Sequence, residues 1–407
     1  MSSHSSVQHD LGFTGTDFMF AVPHDVEMAT PRRLVQGDGS IRLLGDALRG
    51  LDVPSGPVLL VTDSMLVDLG STRTAEDALR VAGYEVVVRG QSPGEPTLAA
   101  SNDVVAAVRE RTYVAVVGLG GGSAMDSAKL AAGLATNSGR VEAYMRGRAI
   151  ERDALPLVLV PSTAGTGAEA SRNTIVNHDN RKFVIGSARL VPAVAILDPA
   201  LTVTCPPGVT AASGMDALAH AVETTLSTWA NPFTTVNGLA AVRAIARWLR
   251  TAHEDGANLV ARRAMLYSAY HAGLSLNAAT LLGHSMAYTI ATRTNLPHGV
   301  TTGMSLPYCV AYDAQGARDQ VQALAAEIGV PTGELARWAQ TLAKEVGLPR
   351  SLREVGFGPE DIPAMVEECL VRYPRPNNPV PFTRERLTQL YGYFLDGDVD
   401  GAVEAMR

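Results

Sequence analysis

The chain is poor in cysteine, in aromatic side chains and in charge. Its 407 residues include three cysteines, Cys205, Cys309 and Cys369, far apart and with no CxxC pair. That excludes a disulfide framework and fits a reducing compartment. Charged residues make up 18% and hydrophobic residues 46%, the balance of a well-buried globular chain and not of a disordered one. Positive charge is not in excess. The net charge of −7 argues against nucleic acid or an anionic membrane surface as the main partner and leaves small molecules. No apolar run approaches the roughly 20 residues of a membrane helix. The opening MSSHSSVQHD has neither a basic region nor an apolar core, so residues 1–15 read as a flexible tail and not as a secretion signal. A cytoplasmic enzyme-sized protein of two domains is the expectation.

Two kinds of pattern divide the chain. Up to about residue 200, uninterrupted apolar runs alternate with amphipathic stretches: GPVLLVTD (56–63), EVVVRG (85–90), YVAVVGLGGG (113–122), LPLVLVPS (155–162) and AVAILDP (193–199). Such runs between helical segments mark a parallel sheet covered on both faces. After the proline pair at 206–207 the runs stop, and long Ala-rich helical patterns follow to the end. The predicted architecture is an α/β domain over residues 1–205 and an all-helical domain over 206–407.

In VVGLGGGSAMDSAKLAAG (116–133) a strand runs into four glycines in five positions and then a helix. Glycine lets the backbone approach a phosphate, and the amides at a helix start carry partial positive charge. Ser123 is the expected N-cap. The spacing is neither GxGxxG nor a P-loop, and a tight turn with no ligand remains open. A second loop, PSTAGTGAEAS (161–171), also follows a strand, and paired loops at strand carboxyl ends are where open α/β sheets bind ligands. Asp63, at another strand end, suits a ribose 2′-hydroxyl and repels a 2′-phosphate, favouring NAD over NADP; alternatively it caps the next helix.

GMDALAHAVE (214–223) places Asp216 and His220 at i and i+4, on one helix face and within reach of one ion. His284 and His298 lie in GHSMAYTIATRTNLPHG (283–299), the first among small residues on a helix, the second after a proline in a loop. Each alone is more often a helix-dipole carboxylate or a satisfied core histidine than a ligand. Together, one carboxylate and three imidazoles suit Fe²⁺ or Zn²⁺ with positions left for a substrate oxygen.

These motifs, GGGSAMDSAK, PSTAGTGAEAS, GMDALAHAVE and GHSMAY…LPHG, occur in an order that resembles the iron-containing (group III) alcohol dehydrogenases over roughly residues 30–310. The resemblance implies a Rossmann-like dinucleotide-binding domain, a helical metal-binding domain, and a cleft between them. It implies Asp216, His220, His284 and His298 as metal ligands, with iron ahead of zinc. It implies Gly121, Gly122 and Ser123 at the pyrophosphate, with Asp126 nearby. Ser162, Thr163, Thr166, Asn173, Lys182 and Val209 would line the nucleotide site, and Asp63 would meet the adenosine ribose. The implied reaction is hydride transfer between a nicotinamide cofactor and an alcohol or aldehyde on the metal, in a homodimer or larger homo-oligomer.

One position departs from the family. Members often carry a further histidine four residues after His284, where this chain has Tyr288. With an ordinary pKa of about 10 a tyrosine is a poor base at neutral pH, though it can relay a proton. Polyol-phosphate dehydrogenases and hydroxyacid–oxoacid transhydrogenases of the same superfamily are the alternatives. Their anionic substrates need basic groups by the metal, and the candidates are scattered: Arg172, Arg189 and Arg293. A non-catalytic nucleotide-binding protein would not need four ligands. Tyr144, Met286, Tyr288 and Tyr308 are candidate pocket residues.

Overall fold

The computed structural model describes residues 27–91, 94, 96–179 and 181–407; the tail expected over 1–15 lies outside them. Eight strands are β1 (Arg33–Gln36), β2 (Pro57–Asp63), β3 (Glu85–Gln91), β4 (Ala115–Gly120), β5 (Leu157–Pro161), β6 (Asn173–His178), β7 (Arg181–Gly186) and β8 (Val194–Leu197). The helices among them are α1 (Leu44–Arg49), α2 (Ser64–Asp68), α3 (Arg73–Val81), α4 (Leu98–Arg109), α5 (Gly122–Thr136) and α6 (Val141–Met145).

Six strands form one parallel sheet in the order β1-β8-β5-β4-β2-β3. The five apolar runs of the sequence are five of these strands. Every residue of β4 and β5 is buried, as a strand covered on both faces requires. Alternate side chains enter two separate cores. Leu59, Val61, Val116 and Leu159 share one with helices α4 and α5. Val58, Leu60, Val117 and Val158 share the other with α1 and α3. A one-residue slip in register would exchange the two sets.

Two features had no apolar run to announce them. Strand β1 is a four-residue edge, RLVQ, paired only with β8 and mostly exposed. Strands β6 and β7 form a separate antiparallel hairpin in which only Thr174, Val176 and Ile185 are buried, so it carries no buried run.

Among the described residues no strand follows Leu197. The rest is helical: α7 (Pro207–Leu226), α8 (Pro232–Glu254), α9 (Leu259–Ser275), α10 (Leu282–Ala291), α11 (His298–Asp313), α12 (Arg318–Ile328), α13 (Leu335–Glu345), α14 (Ile362–Val371), α15 (Arg384–Asp396) and α16 (Val399–Ala405). Proline fits the first position of α7 because an amide there would lack a partner anyway. Ala217, Ala219 and Ala221 are fully buried on α7, and their small side chains let α8 and α9 pack closely around it. Among the described residues no helix is long and apolar enough to cross a membrane.

Candidate metal and nucleotide site

The chain runs from β2 outward to β3, then returns to place β4 on the other side of β2. This reversal is a switch point, where loops at strand carboxyl ends diverge and leave a crevice. Asp63 ends β2 and Gly121 follows β4, and they meet across it: the Gly121 amide donates to Asp63 Oδ2 at 3.2 Å. Asp63 stands at the N-cap position of α2, yet its side chain makes no capping bond there. Burial raises its pKa, and the Gly121 amide pulls the other way. Gly120 has φ of +151°, and a Cβ on it would lie 2.6 Å from Asp63 Oδ2, so this turn needs glycine.

The expected N-cap, Ser123, is not the cap. Gly121 holds that position in an extended conformation without a side-chain bond, and its carbonyl accepts from the Met125 amide at 3.2 Å. The helix therefore begins earlier, because glycine makes the turn and Ser123 falls within the first coil of α5. The second loop closes over the first. The Ser162 amide donates to the Gly120 carbonyl at 2.9 Å, Thr163 Oγ1 lies 3.7 Å from where a Gly121 Cβ would sit, and Thr166 Cγ2 lies 2.7 Å from that of Gly122.

The remaining nucleotide candidates are distributed unevenly. Asp126 is tied into the fold: its Oδ2 accepts from the Ile175 amide at 2.9 Å and its carbonyl from Thr174 Oγ1 at 3.0 Å, which fastens the hairpin to α5. Asn173 opens β6 and Lys182 lies on β7. Val209 is an exposed residue in the first turn of α7.

The helical half supplies the second cluster. Asp216, His220 and His284 each present a ligand atom within 4.8 Å of the others, all buried. His298 joins them with Nε2 3.8 Å from Asp216 Oδ1; it is the first residue of α11, after Pro297 as N-cap, and not a loop residue. The His220 and His284 rings stack at 4.8 Å. Around them is a set of positioning contacts. Glu223, fully buried one turn beyond His220, has Oε1 2.8 Å from His284 Nδ1. Its Oε2 accepts from the amides of Leu281 at 2.6 Å and His284 at 3.2 Å. Thr302 Oγ1 donates to Asp216 Oδ1 at 3.1 Å.

Burial holds the pKa of His220 below its ordinary value, opposed by Asp216. His298 is held well below its own, by burial first and then by Lys182. Both are thus neutral, the form that ligates. His220 Nδ1, His284 Nε2 and His298 Nδ1 are buried without a hydrogen-bond partner. Buried nitrogens left this way are costly unless something else satisfies them. One carboxylate and three such imidazoles fit a divalent metal.

Comparison with known proteins agrees along the length of the chain. The family profile "Iron-containing alcohol dehydrogenase" matches residues 31–199, and "Fe-containing alcohol dehydrogenase family, C-terminal" matches residues 210–394. The chain belongs to the iron-containing alcohol dehydrogenase family. It is 35% identical to long-chain-alcohol dehydrogenase 1 of Geobacillus thermodenitrificans, over 84% of this chain and 90% of that one. A crystal structure of 1,3-propanediol oxidoreductase matches with a TM-score of 0.85 at 31% identity, covering 91% of this chain and 100% of that one. The sulfoacetaldehyde reductase of Bifidobacterium kashiwanohense, solved with NAD⁺, matches with a TM-score of 0.82 at 28% identity, covering 91% and 99%. As a member of this family the chain is an oxidoreductase of alcohols and aldehydes, and the family works with a metal and NAD(H).

Within the family's scaffold, Tyr288 stacks on His298 at 5.5 Å and meets His284 edge-on at 6.2 Å. Of the other pocket candidates, Tyr144 donates its hydroxyl to the Ser138 carbonyl in the N-terminal core, Tyr308 stacks on Phe394, and Met286 is fully buried in the helical core. Two of the scattered arginines are occupied, Arg189 by Asp153 and Arg293 by Glu368. The basic groups that do approach the histidines are Lys182 and Arg375. Sequence reasoning missed Arg375, Glu223 and Thr302. Glu223 had a signal, since it lies at i+7 from Asp216 and so on the same helix face; Thr302 stands four residues after His298.

Proposed function

We propose that Asp216, His220, His284 and His298 hold one divalent metal, Fe²⁺ ahead of Zn²⁺, and that residues 1–205 bind NAD while residues 206–407 carry the metal and substrate. The observation that carries this is the convergence of His220, His284 and His298 on the Asp216 carboxylate, with His220 Nδ1 and His284 Nε2 buried and unpartnered among them. Held there, a metal would supply Lewis acidity toward a substrate oxygen, and a bound nicotinamide would supply the hydride donor or acceptor.

The chain's own residues do the positioning. Glu223 fixes the His284 ring and its tautomer through Nδ1, so that Nε2 faces the cluster. Thr302 holds the Asp216 carboxylate. Tyr288 lies flat on His298; its hydroxyl relays a proton as a donor and not as a base. At the other end, Asp63 faces the glycine turn as a carboxylate able to accept from a ribose hydroxyl and hostile to a 2′-phosphate, hence NAD before NADP. The amides of Gly122 and Ser123 and the hydroxyls of Thr163 and Thr166 are the donors for a pyrophosphate, and Asn173, Lys182, Ser162 and Val209 complete its surroundings. Absence of cystines and of membrane-spanning helices among the described residues supports a cytoplasmic enzyme, and a homodimer is the commonest closed assembly.

The test uses anaerobically purified protein and its His284→Ala variant. Metal content, NADH binding by fluorescence, and NADH oxidation against a set of short aldehydes are measured. Expected are loss of metal and of turnover with NADH affinity within about threefold of the parent, the scatter of a remote site. Equal loss of NADH binding and metal overturns the division of labour, and a parent that never retains metal overturns the site.

A further inference from the structure

The residues around Tyr288 carry more charge than reduction of a neutral aldehyde requires. Lys182 Nζ stands 5.3 Å from the Tyr288 ring centroid and Arg375 Cζ 5.7 Å from it, and the same ring stacks on His298 at 5.5 Å. Two cations thus reach the histidine cluster across a single aromatic ring. Of the two, Arg375 is the one with unused capacity. Its Nε donates to Ser285 Oγ at 3.0 Å, and among the described residues no carboxylate pairs with it and no acceptor meets its two terminal nitrogens. Its charge is felt by Glu223, but that carboxylate already serves Leu281 and His284. Asp216 and Glu223 together match a divalent ion, which leaves neither to neutralise a guanidinium.

The segment that bears Arg375 is held firmly. It lies between Pro374 and Pro376. The Tyr373 carbonyl accepts from Ser285 Oγ at 2.7 Å, and the Tyr373 ring meets Tyr288 at 5.0 Å. Asn377 Nδ2 donates to Ser227 Oγ at 2.9 Å, and Asn378 Oδ1 accepts from the Leu282 amide at 3.1 Å. A guanidinium supported on an aromatic face keeps its in-plane N–H groups free for a bidentate partner. Held in place beforehand, it would order little on binding.

We infer that Arg375 is a specificity-determining residue that anchors an anionic group at the far end of the substrate, so that the preferred aldehydes are short ones bearing a carboxylate, sulfonate or phosphate. This rests on the reading of the histidine cluster as the reacting centre. Lys182 adds to the positive field whichever of substrate or nucleotide it contacts.

The experiment compares the metal-loaded parent with Arg375→Gln and Arg375→Lys. The substrates are butanal and succinic semialdehyde, equal in chain length, with sulfonated and phosphorylated short aldehydes as further arms; the best arm identifies the anion. Calorimetric titration of the NADH complex with butyrate reads binding without turnover. Expected in the parent is a kcat/KM at least about tenfold higher for an anionic aldehyde than for butanal, the size of one charge-assisted pair. In Arg375→Gln that ratio falls by a similar factor, mainly through KM, and butyrate affinity falls with it; Arg375→Lys keeps part of both. A parent that prefers butanal or fails to bind butyrate overturns the inference, as does an unchanged ratio in Arg375→Gln. No turnover by metal-loaded parent on any aldehyde counts against the reacting centre instead, and the butyrate titration then still decides the role of Arg375.

Discussion

Glu223 Oε1 lies 2.8 Å from His284 Nδ1, and both side chains are buried beyond the reach of solvent. The carboxylate also accepts two main-chain amides at the start of α10, so it fixes the helix and the ring that the helix carries. A buried carboxylate with these partners stays ionised. Burial pushes the Glu223 pKa up, but its hydrogen bonds to the His284 ring and the Leu281 amide and the nearby Arg375 outweigh this, and it lies below its ordinary value.

Glu223→Gln should loosen the metal more than it loosens the fold. The amide can still accept from His284 Nδ1, but its NH₂ then faces the Leu281 and His284 amides, donor against donor. Metal affinity, read by competition with a fluorescent chelator, is expected to fall about 10–100-fold, the usual cost of losing such a partner. Unchanged affinity would show that the ring is oriented by its stacking on His220 instead.

Gly167 should be irreplaceable for a different reason. Its φ is +59°, and a Cβ there would lie 2.5 Å from Gly273 Cα and 2.7 Å from the Ala269 carbonyl. The loop after β5 is seated directly on α9 at this point. Gly167→Ala therefore combines backbone strain with a backbone clash and is expected to cost about 2–4 kcal/mol in denaturant unfolding. A loss below about 0.5 kcal/mol, the range of an ordinary surface change, would mean that the loop moves freely on the helix.

Glu169 predicts a pH dependence. Burial raises its pKa from 4.5 to about 7, and Lys129 in the same interior remains protonated up to about 8. Lys129 directs its Nζ to Ser171 and to the Asn173 carbonyl and not to Glu169. Between pH 4.5 and 7 the folded chain thus binds a proton that the unfolded chain has released, and Glu169's contribution to stability declines as pH rises through that window. Glu169→Gln has no such decline. Its stability relative to the parent should grow between pH 4.5 and 7 by up to about 3 kcal/mol and then level off, as measured by denaturant unfolding at pH 5 and 8. A difference independent of pH would show that Glu169 is not protonated in the folded chain.

Much of the α/β half was legible because its signals are local. Five strands announced themselves as apolar runs, and the glycines after β4 lie where a turn at the switch point needs them. The edge strand β1 and the hairpin β6–β7 were not legible: most of their residues are exposed or half-buried, so no uninterrupted apolar run marks them. Ser123 misled as a cap because its propensity is local, whereas Gly121 took the position once its amide met Asp63 from another strand.

Chain order and residue type alone were enough to specify the α/β-then-helical plan and to set Asp216 and His220 on one face, since helical periodicity acts over a few residues. They also fixed which histidines were available. Whether His284 and His298 would meet that face depended on how α10 and α11 pack against α7. The same packing brought Glu223 to His284 across 61 residues and Arg375 to Tyr288 from a proline-bounded loop. Contacts of that span are selected by close packing and by the satisfaction of buried polar groups, and no pattern along the chain records them.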